Sequence, residues 1–173
     1  PFFADVDTRT GPLMQFGNGT FDGHAAFGQT WREVGYYSEH LEHRNTFQTL
    51  LVDRSDVAAG DFDIYFNYDT ITWETGEASG SDANGLGGSS AHAGYTNGDG
   101  AFYELPGSGV NGAFLDGGVN ALSSHSLNSD VTGRYIFSVR NGEVIHTTPD
   151  AGSSLALLGL ALAALAATKR KLT

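Results

Sequence analysis

The sequence predicts an all-β fold: an antiparallel two-sheet, sandwich-like domain over residues 1–147, followed by one apolar C-terminal helix in residues 148–173. Three observations carry that expectation. Several short runs alternate apolar and polar residues, the period of a half-buried strand. Asn-Gly occurs five times in the 173 residues, and this pair supplies the two φ > 0 positions of a tight hairpin turn. Residues 1–75 contain no convincing amphipathic helix, whereas residues 151–168 carry no charge at all.

Taken in order, "PFFADVD" (residues 1–7), "TWREVGYYS" (30–38), "NTFQTLLVD" (45–53) and "DFDIYFNYD" (61–69) read as strands. The last is the most regular. Phe62, Ile64, Phe66 and Tyr68 fall on one face, and Asp61, Asp63, Tyr65, Asn67 and Asp69 on the other. "YYSEHLEHR" leaves one short helical turn open as an alternative. Residues 76–100 hold eight glycines and read as a long loop with one short strand around His92 to Tyr95. Long ordered loops are often functional. This one lacks the Gly-Lys-Ser/Thr ending of a phosphate loop and the spacing of a dinucleotide turn, so its glycines serve turns. Residues 101–147 return to β, and "RYIFSVRNGEVIHTT" is a hairpin turning at Asn141-Gly142.

Charge divides the chain. All twenty Asp and Glu and six of the nine basic residues lie in residues 1–150, a balance of 6 − 20 = −14, and the remainder carries +3. An acidic body argues against a nucleic-acid partner, which needs a basic face. The chain has no cysteine, which excludes disulfides, thiolate catalysis and cysteine zinc sites. No signal-peptide pattern opens the chain. "PFFADVD" reads like the middle of a strand, and the expectation is a piece of a longer chain.

The apolar stretch from Leu155 to Ala167 consists of six Leu, six Ala and one Gly. Leu and Ala are strong helix formers, and Ser153 or Ser154 can cap the start. A helix over about residues 154–168, or the whole uncharged run of about 27 Å at ~1.5 Å per residue, is near the short limit for crossing a hydrocarbon core. Leu155, Leu157, Leu158, Leu160, Leu162 and Leu165 would meet lipid, and Lys169, Arg170 and Lys171 would stop the helix on the cytoplasmic side. The acidic body would then lie across the membrane. The alternative is a buried core helix, which the absence of a polar face and the terminal position disfavour.

"TPDAGSSLALLGLALAALAATKRK" resembles the C-terminal sorting signal of bacterial PEP-CTERM proteins: a short proline motif, a Leu/Ala helix, a basic end. Here the motif is Pro149-Asp150-Ala151, followed by Gly152 and Ser153. That resemblance implies export, recognition by an exosortase, and a protein that is first membrane-anchored with its C-terminus in the cytoplasm, then released or re-anchored outside. The body is similar to the nidogen-like extracellular domain, on "PFFADVDTR", "TWREVGYYS", "NTFQTLLVDR", "DIYFNYDTITWETG", "NGLGG", "AHAGY", "GDGAFYELPGSG" and "GRYIFSVRNG". Asn45 to Gln48 and Tyr68 to Trp73 carry most of the weight. His92 stands where a Gln is expected. The resemblance implies further strands before Pro1, an extracellular module of cell–matrix adhesion, and no enzymatic activity; with the sorting signal, the expected partner is a matrix protein or, in a biofilm, an exopolysaccharide.

Candidate sites are few. Asp5 and Asp7 share one strand face and could bind calcium; an ion pair with Arg9 is the alternative. Asp53, Asp56, Asp61 and Asp63 lack the spacing of a calcium loop and read as solvated carboxylates. His40 and His43 are three apart, whereas the zinc motif spaces its histidines by four, so they read as a chance surface pair. "GGSSAHAG" is not a nucleophile elbow. Trp31, Trp73 and Tyr36, Tyr37, Tyr65, Tyr95 and Tyr103 are mostly core, with a sugar-stacking platform as the alternative. Asn18-Gly19-Thr20 matches the N-glycosylation pattern and is read as chance. The sequence is read as that of an exported surface or matrix protein, with a calcium-dependent carbohydrate-binding module as the alternative and a secreted hydrolase as a remote third. No cofactor is expected beyond that calcium.

Overall fold

A computed structural model describes residues 2–3, 6–7 and 15–145, with side chains from Gly17 to Ile145. Ten strands follow one another: β1 (Phe2–Phe3), β2 (Val6–Asp7), β3 (Gln15–Phe21), β4 (His24–Tyr36), β5 (His40–Asp53), β6 (Phe62–Thr70), β7 (His92–Thr96), β8 (Phe102–Glu104), β9 (Arg134–Arg140) and β10 (Glu143–Ile145). Among the described residues one 3₁₀ turn occurs, at Glu77–Ser79. Seven strands form a large antiparallel sheet in the order β10-β9-β6-β5-β4-β2, with β3 also on β4; β1, β7 and β8 form a small one. The expected C-terminal helix lies outside the described residues. Among the described residues no helix is long and apolar enough to cross a membrane.

The four predicted strands are present, with corrections. "PFFADVD" divides into β1, which pairs with β7, and β2, which pairs with β4. β3 carries no strong β alternation and is new. Its Asn18-Gly19 pair sits mid-strand, and the hairpin to β4 turns instead at Asp22 (φ 51°) and Gly23 (φ 81°). "YYSEHLEHR" forms a turn and the start of β5, not a helical turn. Residues 105–133 are irregular apart from an isolated bridge at Leu127, although the sequence predicted β throughout 101–147. The Asn141-Gly142 hairpin is as expected, with both residues at positive φ.

The core lies between one face of the large sheet and the small sheet with its flanking loops. Val34, Tyr36, Phe47, Phe66, Tyr68, Tyr135 and Phe137 come from the large sheet; Ala93, Ile71, Trp73, Phe114 and Leu122 come from across it. Val34 joins this face through a bulge: the register jumps between Trp31 and Val34, Glu33 takes φ 50°, and its N–H is satisfied by Thr46 Oγ1 at 3.0 Å. A bulge adds one residue and so reverses the alternation beyond it.

Asn45 joins the end of β6 to the core. Its fully buried amide accepts from Thr72 N (2.7 Å) and Trp73 N (3.3 Å) and donates to Trp73 O (2.9 Å). It therefore replaces ladder bonds where β6 has ended, a role that needs one donor and one acceptor on a planar group. Trp73 is in turn fixed by its Nε1 donating to Val34 O at 3.0 Å.

Around Asp61 and Asp63 the second face of the large sheet is covered. Asp61 and Asp63 are each 3 % exposed. Asp63 meets Arg54 Nη1 and Arg140 Nη2, both at 2.8 Å, and Asp61 Oδ1 accepts from Asn141 N at 3.0 Å. The reading of these carboxylates as solvated is therefore corrected. Buried charge requires partners, and here two arginines from distant parts of the chain supply them. Only Asp53 and Asp56 of that group are exposed, and Asp56 also pairs with Arg54.

Candidate contact surface

The glycine-rich segment after β6 is ordered from three sides. On the first, Glu74 N and Thr75 N both donate to Gly85 O at 2.9 Å, which draws the loop tip against Trp73. Gly85 has φ 69°, and a Cβ there would lie 2.6 Å from Trp73 Cβ, so only glycine fits. On the second, Gly87 N donates to Asn111 Oδ1 at 2.7 Å and Ser89 N to Ser79 O at 3.0 Å. Within the loop Asp82 accepts from Asn84 N (2.8 Å) and Leu86 N (3.1 Å), and these donors hold its carboxyl below the usual range.

The third side is a cluster of four side chains. The His40 ring lies flat on the Tyr36 ring, with centroids 4.4 Å apart and 7° between planes. His40 Nε2 is 2.9 Å from Glu77 Oε1, and Nδ1 bonds Glu42 Oε1. The Tyr36 hydroxyl is 3.0 Å from both Glu42 Oε1 and Ala83 O and has one proton to share between them. Hydrogen bonds donated to Glu77, then to Glu42, raise the His40 pKa. The Glu42 carboxyl is held down at about 2 by its own backbone N–H, then by His40. Burial first, then Glu42, pushes Tyr36 up to about 12. The imidazolium therefore ties the β4–β5 turn to the 3₁₀ turn, a tie reinforced by Glu77 N donating to Tyr37 O at 2.7 Å. Tyr37 and Leu41 stand exposed beside it at 47 % and 45 %. Chemically, this cluster holds one loop conformation and can loosen when His40 loses its proton.

Glu74 orders the adjoining loop. It is 1 % exposed and accepts from Gly112 N at 2.7 Å and Phe114 N at 2.6 Å. Burial raises its pKa, and those donors offset part of the rise.

The residues picked from the sequence fare unevenly. Pro149, Asp150, Ala151, Gly152 and Ser153, the six leucines from Leu155 to Leu165, and Lys169, Arg170 and Lys171 lie outside the described residues, as does Asp5. Asp7 pairs through its backbone with Gly35, and its side chain is outside the description. His40 and His43 are not a pair: His40 joins the carboxylate cluster. Among the described residues no group of three or more His, Cys, Asp or Glu is placed to hold a metal ion. His92 meets Glu104 at 2.9 Å across the small sheet. Trp73 and Tyr36 are core, and Trp31 stacks on Phe47 at 4.8 Å. Sequence reasoning missed the Tyr36–His40–Glu42–Glu77 cluster. Its one local signal is His40-x-Glu42, which places both side chains on the same strand face.

The profile of the nidogen-like domain matches residues 11–141. The chain belongs to the nidogen-like domain family. Its relatives include alpha-tectorin of Homo sapiens and of Mus musculus, each 38 % identical over 128 residues, covering 72 % of this chain and 5 % of theirs. Nidogen of Drosophila melanogaster is 34 % identical over 138 residues, covering 78 % of this chain and 9 % of its own. The nidogen-like domain thus spans less than a tenth of the length of these relatives. No solved structure matches. A VPDSG-CTERM motif, a sorting signal of the PEP-CTERM kind, matches residues 149–172, where the chain opens Pro149-Asp150-Ala151-Gly152-Ser153. An extracellular-type domain followed by a sorting signal marks a surface or extracellular protein.

Proposed function

We propose that this protein is an exported, exosortase-sorted surface or matrix protein. The nidogen-like domain makes non-enzymatic adhesive contacts with a matrix protein or an exopolysaccharide, and residues 148–173 act as address and temporary membrane anchor. The observation that carries the reading is the succession of a nidogen-like domain at 11–141 and a CTERM motif at 149–172 in one chain. The charge pattern supports it, because the acidic body and the basic end suit opposite sides of a membrane. The ordered loops around Glu74 and His40 support a display surface that keeps its shape without disulfides.

Fractionation of native cells tests the sorting half. Protein expressed with its tail is expected, after processing, at the cell surface or in the matrix, and protein expressed without residues 149–172 is expected to lose that placement. The same distribution for both would overturn the reading. A calcium requirement through Asp5 and Asp7 is a separate proposal; a calcium-dependent rise in Tm, abolished by Asp5→Asn with Asp7→Asn, is its expected signature.

A further inference from the structure

The β3–β4 hairpin does not continue the plane of the large sheet. It curls over the second face, so that the Phe21 ring at its tip meets Tyr65 on β6 edge-on, with centroids 4.9 Å apart. Between hairpin and sheet lies an open trough of about 520 Å³, within the range of ligand pockets. Its two walls differ in chemistry. Phe21 and Leu50 form an apolar wall, backed by Arg134, whose guanidinium carbon is 5.3 Å from the Phe21 ring centre. Gln48 and Thr30 form a polar wall.

That polar wall is the end of a ladder crossing four strands in register. Arg134 Nε donates to Asn67 Oδ1 (2.9 Å), Asn67 Nδ2 to Gln48 Oε1 (3.0 Å), and Gln48 Nε2 to Thr30 Oγ1 (2.8 Å). Every donation runs towards the trough, and the proton of the terminal Thr30 hydroxyl has no partner among the described residues. Among the described residues no ionisable one lines the trough.

The space is kept open at a cost. Gly17 and Gly19 sit within β3 opposite Gly28 and Ala26. Neither has a positive φ, and a Cβ on either would meet nothing within 4 Å. Neither backbone shape nor packing asks for glycine there, and glycine weakens a strand interior. A side chain at either position would stand in the trough.

We propose that this trough binds a neutral polysaccharide chain, with Phe21 and Leu50 against the C–H face of a sugar ring and the Gln48–Thr30 wall on its hydroxyls. Amide and hydroxyl groups offer donors and acceptors together, as vicinal hydroxyls require, and an aromatic ring, whose face attracts C–H hydrogens, suits an apolar sugar face. The open form of the trough suits a chain over a compact ligand. Charge selects the neutral class: the lining carries none, and a formal net charge of −11 repels a polyanion. The proposal deepens the adhesive reading and rests on it only for where the glycan is met.

Titration calorimetry of the full chain, held in a detergent without a sugar head group, tests it. Cellohexaose, laminarihexaose and dextran serve as neutral probes, and heparin as the polyanion. The expected result is saturable binding of a neutral probe, weakened at least tenfold by Gly19→Val with Tm unchanged or higher, and likewise weakened by Gln48→Leu. No binding of any neutral probe, equal affinity in Gly19→Val, or preference for heparin would overturn it. So would a concentration-dependent dimer that Gly19→Val abolishes, which would assign the trough to a second copy. If Gly19→Val unfolds the protein, Gly17→Ala takes its place under the same criteria. A surface-sorted protein that binds no neutral probe fails this proposal alone; a glycan-binding protein that is never sorted fails the functional reading alone.

Discussion

Single buried polar residues hold the irregular half of this domain, and Glu74 is the clearest case. Its carboxylate answers the N–H groups of Gly112 and Phe114 inside a loop with no ladder of its own. Glu74→Ala leaves both donors buried and unpaired, at about 1–3 kcal/mol each, and is expected to lower Tm by roughly 8 °C or more. Glu74→Gln keeps one acceptor and should lose less. Asp63 behaves oppositely with pH. Burial pushes its carboxyl up, but Arg54, Ser138 and Arg140 together outweigh burial and hold it below the ordinary value of 3.8. A carboxyl with a depressed folded pKa stabilises fully above its unfolded value and less as pH falls through the folded one. Asp63 therefore contributes to acid unfolding below about pH 4. Asp63→Ala takes a buried partner from two guanidinium groups, which keep Asp56 and Phe62 O, and a loss of about 2 kcal/mol in urea unfolding at pH 7 is expected, with a flatter acid limb. Neither role was legible in the sequence. Alternation placed Asp63 correctly opposite Phe62 and Ile64, but it cannot show that the opposite face is covered, because Arg140 lies 77 residues away in the numbering.

At the scale of elements, hairpin signals were half readable. Asn141-Gly142 turns as expected, with φ 52° and 80°, and Gly142→Ala should cost about 1 kcal/mol through its left-handed backbone. Asn18-Gly19 gives the same dipeptide signal and is not a turn, because pairing with β4 runs through it to Asp22-Gly23. The position of β3 is set by tertiary pairing, and local propensity did not reveal it. The loop between β6 and β7 makes a further prediction. His40 has a raised pKa, so the stability from its contacts with Glu42 and Glu77 is fully present below its unfolded value of 6.5. That stability is lost as pH rises through the higher folded value. Hydrogen exchange, corrected for intrinsic pH dependence, should show the Glu77 and Ser89 amides less protected at pH 8.5 than at pH 5.5. His40→Gln should remove the difference, and an unchanged difference in that variant would contradict the role given to His40.

Over the whole molecule, the all-β antiparallel class was legible because period-two alternation and turn residues agree along most of the body. The irregular 105–133 segment was not, since its apolar Phe114 and Leu122 look like strand residues and are held by loop bonds. The contact cluster was hidden for the same reason: Tyr36, His40 and Glu77 come together only once β4 and β5 have paired. The sorting signal is the opposite case. It is a linear signal, and its three parts stand in order within 25 residues, from Pro149 to Thr173. The central claim is that this tail is an address removed after use while the nidogen-like domain remains outside. Intact mass of the exported protein from native cells, with and without the exosortase, tests it most directly. A product ending near Pro149 only when the exosortase is present is the predicted result. A full-length, membrane-retained chain in both backgrounds would contradict it and make the tail a permanent anchor.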